Sequence, residues 1–470
     1  MSNEINPYES SKTAIKPIPD PSLVPTSAWY SGITSYQWLV LTIASLGWVF
    51  DVFEGQILLS SEKQMLSDLL PPGTGEGAKD YYKYLALASF LVGGAVGGVF
   101  FGALADRIGR VRTMVITILM YSLFTCLTAF AQSWSHVVAL RFLVALGTGG
   151  EWAVASALVA EVFPPKARAW SGAIFHGSSI FGTYLAIAAG MYIVPTLGWQ
   201  RAFIIGALPA LLTLWVRWQI REPDQWLANR ATAAAAPQSV VAQLAALFAP
   251  GIAFKTILGF SLAVIGLATY WGVHIHGKEL TFRRARAEIE RRENLSANAT
   301  PAERAEFSKQ HEAELKHPEM LGMLLAATGG GLGLFAFGPI CERLGRRNAF
   351  ILFHLGGFAM AVLIFQTYTY WSPAVLWVLL MLFGFWTLGM HAGYAIYFPE
   401  LFPTRIRSLG AGFCFNCGRI AAAVVLILNA FVRQYNVPLE TVGTALSFLF
   451  LIGALIACFG PETKGTTLAS

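Results

Sequence analysis

The chain has 470 residues, of which 55% are hydrophobic, 13% aromatic and 13% charged, and its formal net charge is +6. Soluble proteins carry about 25% charged residues, so this chain has too few polar side chains to cover a soluble protein of its size. The composition excludes an ordinary soluble enzyme, a disordered chain and a disulfide scaffold. With a mean hydropathy of +0.55, it indicates a polytopic membrane protein.

Twelve apolar stretches follow one another along the chain. Each is close to the roughly 20 residues that cross about 30 Å of hydrocarbon as an α-helix. They cover 37–59, 83–104, 113–132, 136–160, 169–191, 201–219, 254–275, 319–340, 349–368, 373–396, 408–432 and 441–460. We therefore predict an all-α polytopic membrane protein with twelve transmembrane helices.

The segments between these stretches predict the domain organisation. Residues 1–36 form a polar tail without the pattern of a cleaved signal peptide. Residues 37–219 form a first six-helix half, and 220–253, which include the run TAAAAPQ, form a linker. Residues 254–460 form the second half, and 461–470 form a C-terminal tail.

One charged insertion interrupts the second half at residues 276–318. It contains RRARAEIERREN and AERAEFSKQHEAELKH. Arg and Glu at helical spacing predict solvated helix on the outer side of the membrane. We expect it to be a solvated cap or spacer rather than a binding domain.

The basic residues predict the orientation of the chain. Lys and Arg concentrate in the loops after predicted helices two, four, six, eight and ten, whereas the loops after helices three and nine carry none. By the positive-inside rule, both termini lie in the cytoplasm of a multi-pass protein of the inner (plasma) membrane. These loops account for most of the net charge, so we predict no nucleic-acid partner.

The chain also contains an internal repeat. GALADRIGRVRTMV at 102–115 matches GPICERLGRRNAFI at 338–351, and AEVFPPKARAWSG at 160–172 matches PELFPTRIRSLGAG at 399–412. Both copies occupy equivalent positions in the two halves. The repeat therefore predicts two pseudo-symmetric halves, which is the layout of a transporter that rocks around a central site.

Several motifs resemble those of the major facilitator superfamily. The Gly-x-x-x-Asp-Arg-x-Gly-Arg loop after helix two and its second copy resemble the signature of that family. RFLVALGTGGEW at 141–152 resembles the helix-four motif of its symporters, and PETKG at 461–465 is similar to the sugar-porter ending. The GGEW motif and FDVFEG at 50–55 are more similar to the sialate, lactate and aromatic-acid symporters. The resemblance covers most of the chain outside 1–36 and 276–318 and implies the major facilitator fold.

The resemblance also implies a role for the charged residues of the repeated loops. In the family, such residues form a cytoplasmic gate that closes in the outward-facing state. The corresponding residues are Asp106, Arg107, Arg110, Glu161 and Arg168 in the first half and Glu342, Arg343, Arg346, Glu400 and Arg407 in the second.

Three ionisable residues are candidates for proton coupling. Asp51 and Glu54 lie at spacing i, i+3 and so share one face of helix one. In proton-coupled sugar porters, an Asp of helix one pairs with an Arg of helix four, and the resemblance transfers these roles to Asp51 and Arg141. A charge inside a membrane helix is costly, which marks it as a functional candidate. The alternative is a fixed ion pair that only joins the two helices.

Arg419, in the middle of helix eleven, is the candidate contact for a substrate anion. Its planar guanidinium can donate two parallel hydrogen bonds to a carboxylate. The alternative is an ion pair with Asp51 or Glu54. Other polar and aromatic residues of the central helices are further substrate-binding candidates, although each is also a plausible packing residue: Asn416, His176, Ser179, Tyr270, Trp386, His391 and Tyr394.

These features together predict a secondary active transporter that couples protons to the symport of a small organic anion of the monocarboxylate, sialate or aromatic-acid class. Two alternatives stay open, a sugar transporter and a non-transporting sensor on the same fold. We predict no enzymatic activity, no cofactor and no metal site. The expected partners of a monomeric chain are a small-molecule substrate, protons and the lipid bilayer. Its intrabilayer charges are Asp51, Glu54, Arg141, Glu151 and Arg419.

Overall fold

The computed structural model describes residues 28–468, apart from 73, 75, 209–214, 216–218, 225, 229–238, 297, 298, 300–302, 304–306, 308, 309, 435 and 436. The described residues form helices and short turns with no strand among them, so the all-α prediction is confirmed. Most of the predicted N-terminal tail, the TAAAAPQ run and much of predicted helix six lie outside the described residues.

The helices are numbered in chain order. They run over α1 Ser35–Leu69, α2 Glu76–Ile108, α3 Arg110–Thr128, α4 Trp134–Val162, α5 Pro165–Gly177, α6 Ser179–Ala188, α7 Val194–Ile205, α8 Val240–Leu247, α9 Ala253–Gly272, α10 Gly277–Arg292, α11 Glu312–Leu344, α12 Arg346–Thr367, α13 Pro373–Gly389, α14 His391–Leu401, α15 Arg407–Gln434 and α16 Leu439–Cys458. A π-helical turn at Ala189–Ile193 joins α6 to α7.

Eleven described segments are long and apolar enough to cross a membrane. One of them, Pro165–Ile205, contains Gly198, whose φ of 82° and ψ of 160° are not helical. A residue with these angles interrupts a helix, so this segment holds the end of one predicted helix and the start of the next. The sixth predicted helix continues beyond Ile205 into residues that are only partly described. The described helices thus agree with twelve membrane crossings.

Most predicted boundaries agree with the structure to within a few residues, but α2 begins at Glu76 rather than at 83, α11 begins at Glu312 rather than at 319, and α1 differs most. It begins at a capping box in which Thr34 Oγ1 accepts from the Gln37 backbone and Gln37 Oε1 accepts from the Thr34 backbone. It continues to Leu69, well past the predicted end at residue 59. The extra turns contain polar residues, which the hydropathy pattern does not count as membrane-spanning.

Both halves use the same packing. The second helix of each half lies against the fourth, as α2 on α4 and α11 on α13, and also contacts the fifth helix of the other half, as α2 on α15 and α11 on α5. At Gly93 and Gly97 of α2 there is no room for a side chain, because the backbone of α4 lies against them. Small residues permit this close approach, which apolar contact alone does not drive in a bilayer.

The charged insertion contains α10, which packs against the first turns of α11. Ile289, Phe307 and Leu315 form a small apolar core between its described parts. Arg292 donates to the two carboxylate oxygens of Glu314 at 2.7 and 3.0 Å. The insertion therefore has an ordered helical core of its own.

The insertion also meets the end of α12 and the start of α16. Arg283 of α10 forms an ion pair with Glu279 at 2.9 Å and lies 3.8 Å from Glu440. Tyr368 donates a hydrogen bond to the same Glu440 carboxylate at 2.7 Å. We call the surface that carries Arg283, Tyr368 and Glu440 the opposite face, because it lies at the other end of the helices from the charged repeat loops described below.

Candidate functional site

Four buried arginines lie at the end of the helix bundle that is formed by the charged repeat loops. We call this end the basic face. The arginines are Arg110, Arg168, Arg346 and Arg407. Glu161 at the end of α4 accepts two hydrogen bonds from Arg110 of its own half, at 2.9 and 3.2 Å. It accepts a third from Arg407 of the second half at 2.7 Å. Glu161 therefore joins the two halves.

Glu400 on α14 makes the matching arrangement. It accepts two hydrogen bonds from Arg346 of its own half, at 2.9 and 3.1 Å. Arg168 of the first half approaches it at 3.5 Å. Each glutamate thus binds one arginine from each half. The repeated loops form two charged triads, each made of one glutamate and two arginines, and in each triad one arginine comes from the other half. The triad at Glu161 is the tighter of the two.

Asp106 at the end of α2 makes a third contact between the halves. One carboxylate oxygen lies 2.8 Å from Arg110. The carboxylate also accepts from the backbone N–H groups of Ser408 and Leu409, at 3.2 and 3.0 Å. These groups belong to the first turn of α15, where a negative charge interacts favourably with the helix dipole.

The second copy of this loop differs from the first. Glu342, which occupies the position of Asp106, contacts Arg346 of its own half at 3.3 Å and is 29% exposed. The side chains of Arg107 and Arg343 are exposed at the basic face and lie outside the two triads. Of the ten predicted gate residues, seven therefore belong to the two triads or are Asp106, and six of these seven contact the other half directly, all except Arg346.

Two further acidic residues complete the basic face, and sequence analysis missed both. Glu222 accepts from the backbone N–H groups of Arg110 and Val111, at 2.6 and 3.1 Å. Glu462 accepts from the backbone N–H of Arg346 at 3.0 Å. Each caps the third helix of its half. The available signal was an acidic residue next to a proline after the last helix of each half, in REPDQ and GPETK.

The candidate proton-coupling residues lie on α1 and α4. Arg141 donates to the backbone carbonyl of Glu54 at 3.1 Å and interacts electrostatically with the Glu54 carboxylate, which also accepts from Thr125 at 2.6 Å. Asp51 interacts electrostatically with Arg419 instead. The implied pair of Asp51 with Arg141 is thus replaced by Glu54 with Arg141. Glu54 lies about 4.5 Å further along the axis of α1, which places it level with Arg141.

Glu151 is a third buried acid in this region. Its side chain is fully buried, and Oε2 lies 2.8 Å from the hydroxyl of Thr117 on α3. Its other oxygen, Oε1, has no hydrogen-bond partner and lies against Gly47 of α1. Within the part of the chain that the structure describes, Glu151 forms no ion pair.

Arg419 lies at the interface between the halves. It is about 18 Å from Arg407 along the axis of α15, at about 1.5 Å per residue. Its guanidinium rests against Gly94 of α2, where only a glycine leaves room for it. Nη1 is buried without a hydrogen-bond partner among the described residues. One turn earlier, Asn416 donates to the carbonyl of Gly149 on α4 at 3.1 Å.

Aromatic residues surround Arg419 on one side. Its guanidinium carbon lies 5.5 Å from the ring centroid of Phe415, and Phe415 stacks on Trp152 of α4 at 4.0 Å. Trp152 Nε1 donates to Nδ1 of His176 at 3.1 Å, and Tyr394 lies 6.0 Å from Phe415. The two halves therefore meet beside Arg419 through a row of aromatic rings. Sequence analysis included His176 and Tyr394 but missed Trp152 and Phe415.

The row continues into the second half through two other predicted residues. The ring of His391 lies 5.2 Å from Tyr394, and its Nε2 is 3.2 Å from the carbonyl oxygen of Gly266. Tyr270 lies 5.6 Å from His391. His391 and Tyr270 thus extend the row of aromatic rings into the second half.

Two predicted residues are placed less favourably for substrate contact. Trp386 packs on Phe353 of α12, with ring centroids 5.3 Å apart, and so fills the interface between neighbouring helices of one half. Ser179 is half-buried, while the preceding Ser178 makes the hydrogen bonds to the backbone at this turn.

Among the described residues, no group of three His, Cys, Asp or Glu side chains is suited to hold a metal ion.

Three comparisons place this architecture among known proteins. Residues 77–425 match the model of the Major Facilitator Superfamily. The chain is 26% identical over 465 residues to the niacin transporter NiaP of Acinetobacter baylyi, covering 93% of this chain and 97% of the relative. It is 25% identical over 433 residues to the sialic acid transporter NanX of Escherichia coli, covering 91% and 95%. The solved proton:xylose symporter XylE has the same fold, with a TM-score of 0.73 at 18% identity over 92% of this chain and 98% of that chain.

Proposed function

The chain belongs to the major facilitator superfamily, and on that premise we propose that it is a secondary active transporter for proton-coupled symport of a small organic anion. The observation that carries the proposal is Arg419. Arg419 is half-buried, but its Nη1 is buried without a hydrogen-bond partner among the described residues. A cation placed in this way, in a membrane helix at the interface of the halves, needs an anion to offset its desolvation. Relatives that are named for niacin and sialic acid transport support a carboxylate as that anion.

The surroundings of Arg419 suit a carboxylate better than a neutral sugar. A guanidinium binds the two oxygens of a carboxylate in one plane, with charge-assisted hydrogen bonds. Phe415 and Trp152 add apolar surface beside the guanidinium, which suits the organic part of such an anion. A neutral sugar brings no negative charge, so with a sugar bound the charge of Arg419 would be offset by Asp51 alone.

Asp51 supplies the coupling in this proposal. In the absence of substrate it is the acid that interacts with Arg419. A substrate carboxylate at Arg419 competes with Asp51 for the same guanidinium. An unpaired carboxylate in the bilayer costs several kcal/mol, so Asp51 takes up a proton when substrate is bound. One anion and one proton would then cross together.

The charged triads of the basic face act as the gate. In this conformation, the ion pairs shorter than 4.0 Å between halves among the described residues lie at the basic face, whereas Asp51 and Arg419 interact electrostatically in the interior. By the positive-inside rule we assign this face to the cytoplasm, together with both termini. The conformation then corresponds to the closed cytoplasmic gate, and transport requires the triads to separate. We further propose the halves 37–219 and 254–460 as the moving units of a monomer.

A ligand screen tests the substrate class. The purified full-length chain is heated with nicotinate, benzoate, lactate, N-acetylneuraminate, xylose or glucose, and its unfolding temperature is measured. We expect stabilisation by one or more of the carboxylates, because a ligand that binds only the folded state raises its stability. Stabilisation by the neutral sugars alone would overturn the anion proposal.

Reconstituted vesicles test the coupling. A carboxylate that stabilises the chain should accumulate in proteoliposomes when the outside is acidic, and it should exchange without a pH gradient. Exchange without any pH-driven accumulation would indicate a facilitator that is not coupled to protons, which would contradict symport. Binding without either activity would favour the sensor alternative.

A further inference from the structure

The three buried acids of the membrane interior outnumber the two arginines near them, of which Arg141 is buried and Arg419 is half-buried. Asp51, Glu54 and Glu151 are at most 3% exposed, and the nearby arginines are Arg141 and Arg419. If all five were ionised, this region would carry one net negative charge away from water. Such a charge costs several kcal/mol, so one acid is expected to be neutral.

Glu54 and Asp51 each interact electrostatically with one arginine. Glu54 accepts from the hydroxyl of Thr125 at 2.6 Å and interacts with Arg141. Neither carboxylate oxygen of Asp51 has a hydrogen-bond partner among the described residues, so it is the charge of Arg419 that offsets the charge of Asp51. Each of these acids is therefore assigned to one cation, and no cation is left for Glu151.

The hydroxyl of Thr117 indicates which atom holds the proton. Its Oγ1 lies 2.9 Å from the carbonyl oxygen of Met114 and 2.8 Å from Glu151 Oε2. A threonine hydroxyl has one hydrogen, and a backbone carbonyl can only accept. With an ionised Glu151, the single hydroxyl hydrogen would have to be shared between Met114 and Glu151. With a protonated Glu151, Thr117 donates to Met114 and accepts the carboxylic acid O–H, so that both contacts are full hydrogen bonds.

The other oxygen of Glu151 agrees with a neutral acid. Oε1 is buried without a partner, and a Cβ atom at Gly47 of α1 would lie 2.7 Å from it. A buried carboxylate oxygen with no donor loses its hydration without compensation, whereas a carbonyl oxygen of a neutral acid loses far less. We propose that Glu151 holds a resident proton that neutralises the buried cluster and leaves Asp51 as the acid whose protonation changes with substrate.

Other ionisable side chains on the helices packed around α4 define the surroundings of this proton. Asp51 and Tyr121 interact with Glu151 electrostatically, and Tyr121 is a neutral phenol. The remaining ionisable side chains in this region are Glu54, Arg141, Arg419 and His176. The resident proton itself does not depend on the proposed substrate, whereas the role left to Asp51 rests on the proposed function.

Infrared spectroscopy of the substrate-free protein tests the resident proton. The full chain in lipid nanodiscs at neutral pH should show the C=O stretch of a protonated carboxylic acid in the difference spectrum between wild type and Glu151→Gln. Thr117→Val should move that band to higher frequency because it removes the hydrogen bond, while Thr117→Ser should keep it in place. A spectrum in which Glu151→Gln removes no such band would overturn the proposal. So would an unchanged band in Thr117→Val.

Proteoliposome uptake separates a resident proton from a transported one. Glutamine mimics the neutral acid, so Glu151→Gln should still accumulate nicotinate, or the carboxylate that stabilises the chain best, when the outside is acidic. Loss of accumulation with intact exchange would assign the transported proton to Glu151 and overturn the resident role. Failure of all carboxylates to bind would refute the proposed function, yet the infrared result would still stand.

Discussion

Neutralising Glu161 is expected to open the basic face. Glu161 accepts three hydrogen bonds from Arg110 and Arg407 in a fully buried position. Glu161→Gln keeps the shape but removes the anion that Arg110 and Arg407 share, so that Asp106 is the carboxylate left to interact with both guanidiniums. Removing one partner of a buried ion pair costs about 3–5 kcal/mol. In a state where the halves have separated, water reaches these arginines and most of that penalty disappears.

The balance between the two conformations should therefore change strongly. A loss of about 3 kcal/mol from the closed state alters the ratio of closed to open molecules by about two orders of magnitude. Glu342→Gln is the matched control, because Glu342 is 29% exposed and contacts only Arg346 of its own half. We expect that variant to leave the ratio unchanged.

Distance measurements between spin labels check this expectation. Labels at the exposed positions 107 and 405, one in each half at the basic face, are introduced into a variant without the five native cysteines. The distance between them should increase in Glu161→Gln and stay at the wild-type value in Glu342→Gln. Identical distance distributions in wild type and Glu161→Gln would refute the reasoning that Glu161 holds the halves together.

Three other variants test the site and the opposite face. Arg419→Lys keeps the charge but loses the planar fork, so carboxylate affinity in the thermal-shift assay should fall about tenfold, and unchanged affinity would reject Arg419 as the contact. Asp51→Asn should abolish pH-driven accumulation in proteoliposomes while exchange persists, and normal accumulation would exclude Asp51 from coupling. Burial, together with the hydrogen bond to Glu440, raises the pKa of Tyr368 from its usual 10.0 to about 12. The folded state therefore holds the phenol proton more tightly than the unfolded chain, a stabilisation that is present below pH 10.0 and lost as the pH rises to about 12. Tyr368→Phe should remove that alkaline loss of unfolding temperature, and an unchanged loss would assign it to another group.

The sequence predicted the fold well because the bilayer imposes a strict length and polarity on each helix. The repeat likewise predicted that Glu161 and Glu400 have equivalent roles. The crosswise pairing, in which each glutamate binds an arginine of the other half, was not predictable, because it depends on how the halves pack. The same limit explains why Trp386 was predicted as a substrate contact although it packs between helices of one half. Its helix is apolar all round, so periodicity gives no indication of which side faces the substrate.

Partner choice among the buried charges also required the structure. The spacing of Asp51 and Glu54 places both on one face of α1, but a turn of helix separates their depths in the membrane. Arg141 contacts the turn of α1 at Glu54, which lies further from the start of the helix than Asp51 does. Arg419 belongs to the other half and interacts electrostatically with Asp51. A sequence read one helix at a time specifies neither depth nor the approach of a second half.

The proposed gate and the proposed substrate site share one helix. Arg407, which binds Glu161 at the basic face, and Arg419, which meets Asp51 in the interior, both belong to α15. A tilt of α15 that breaks the first contact must also move the second, because a continuous helix transmits displacement along its axis. By linkage, a substrate anion that changes the position of Arg419 alters the stability of the closed gate by the same free energy with which the gate alters substrate affinity.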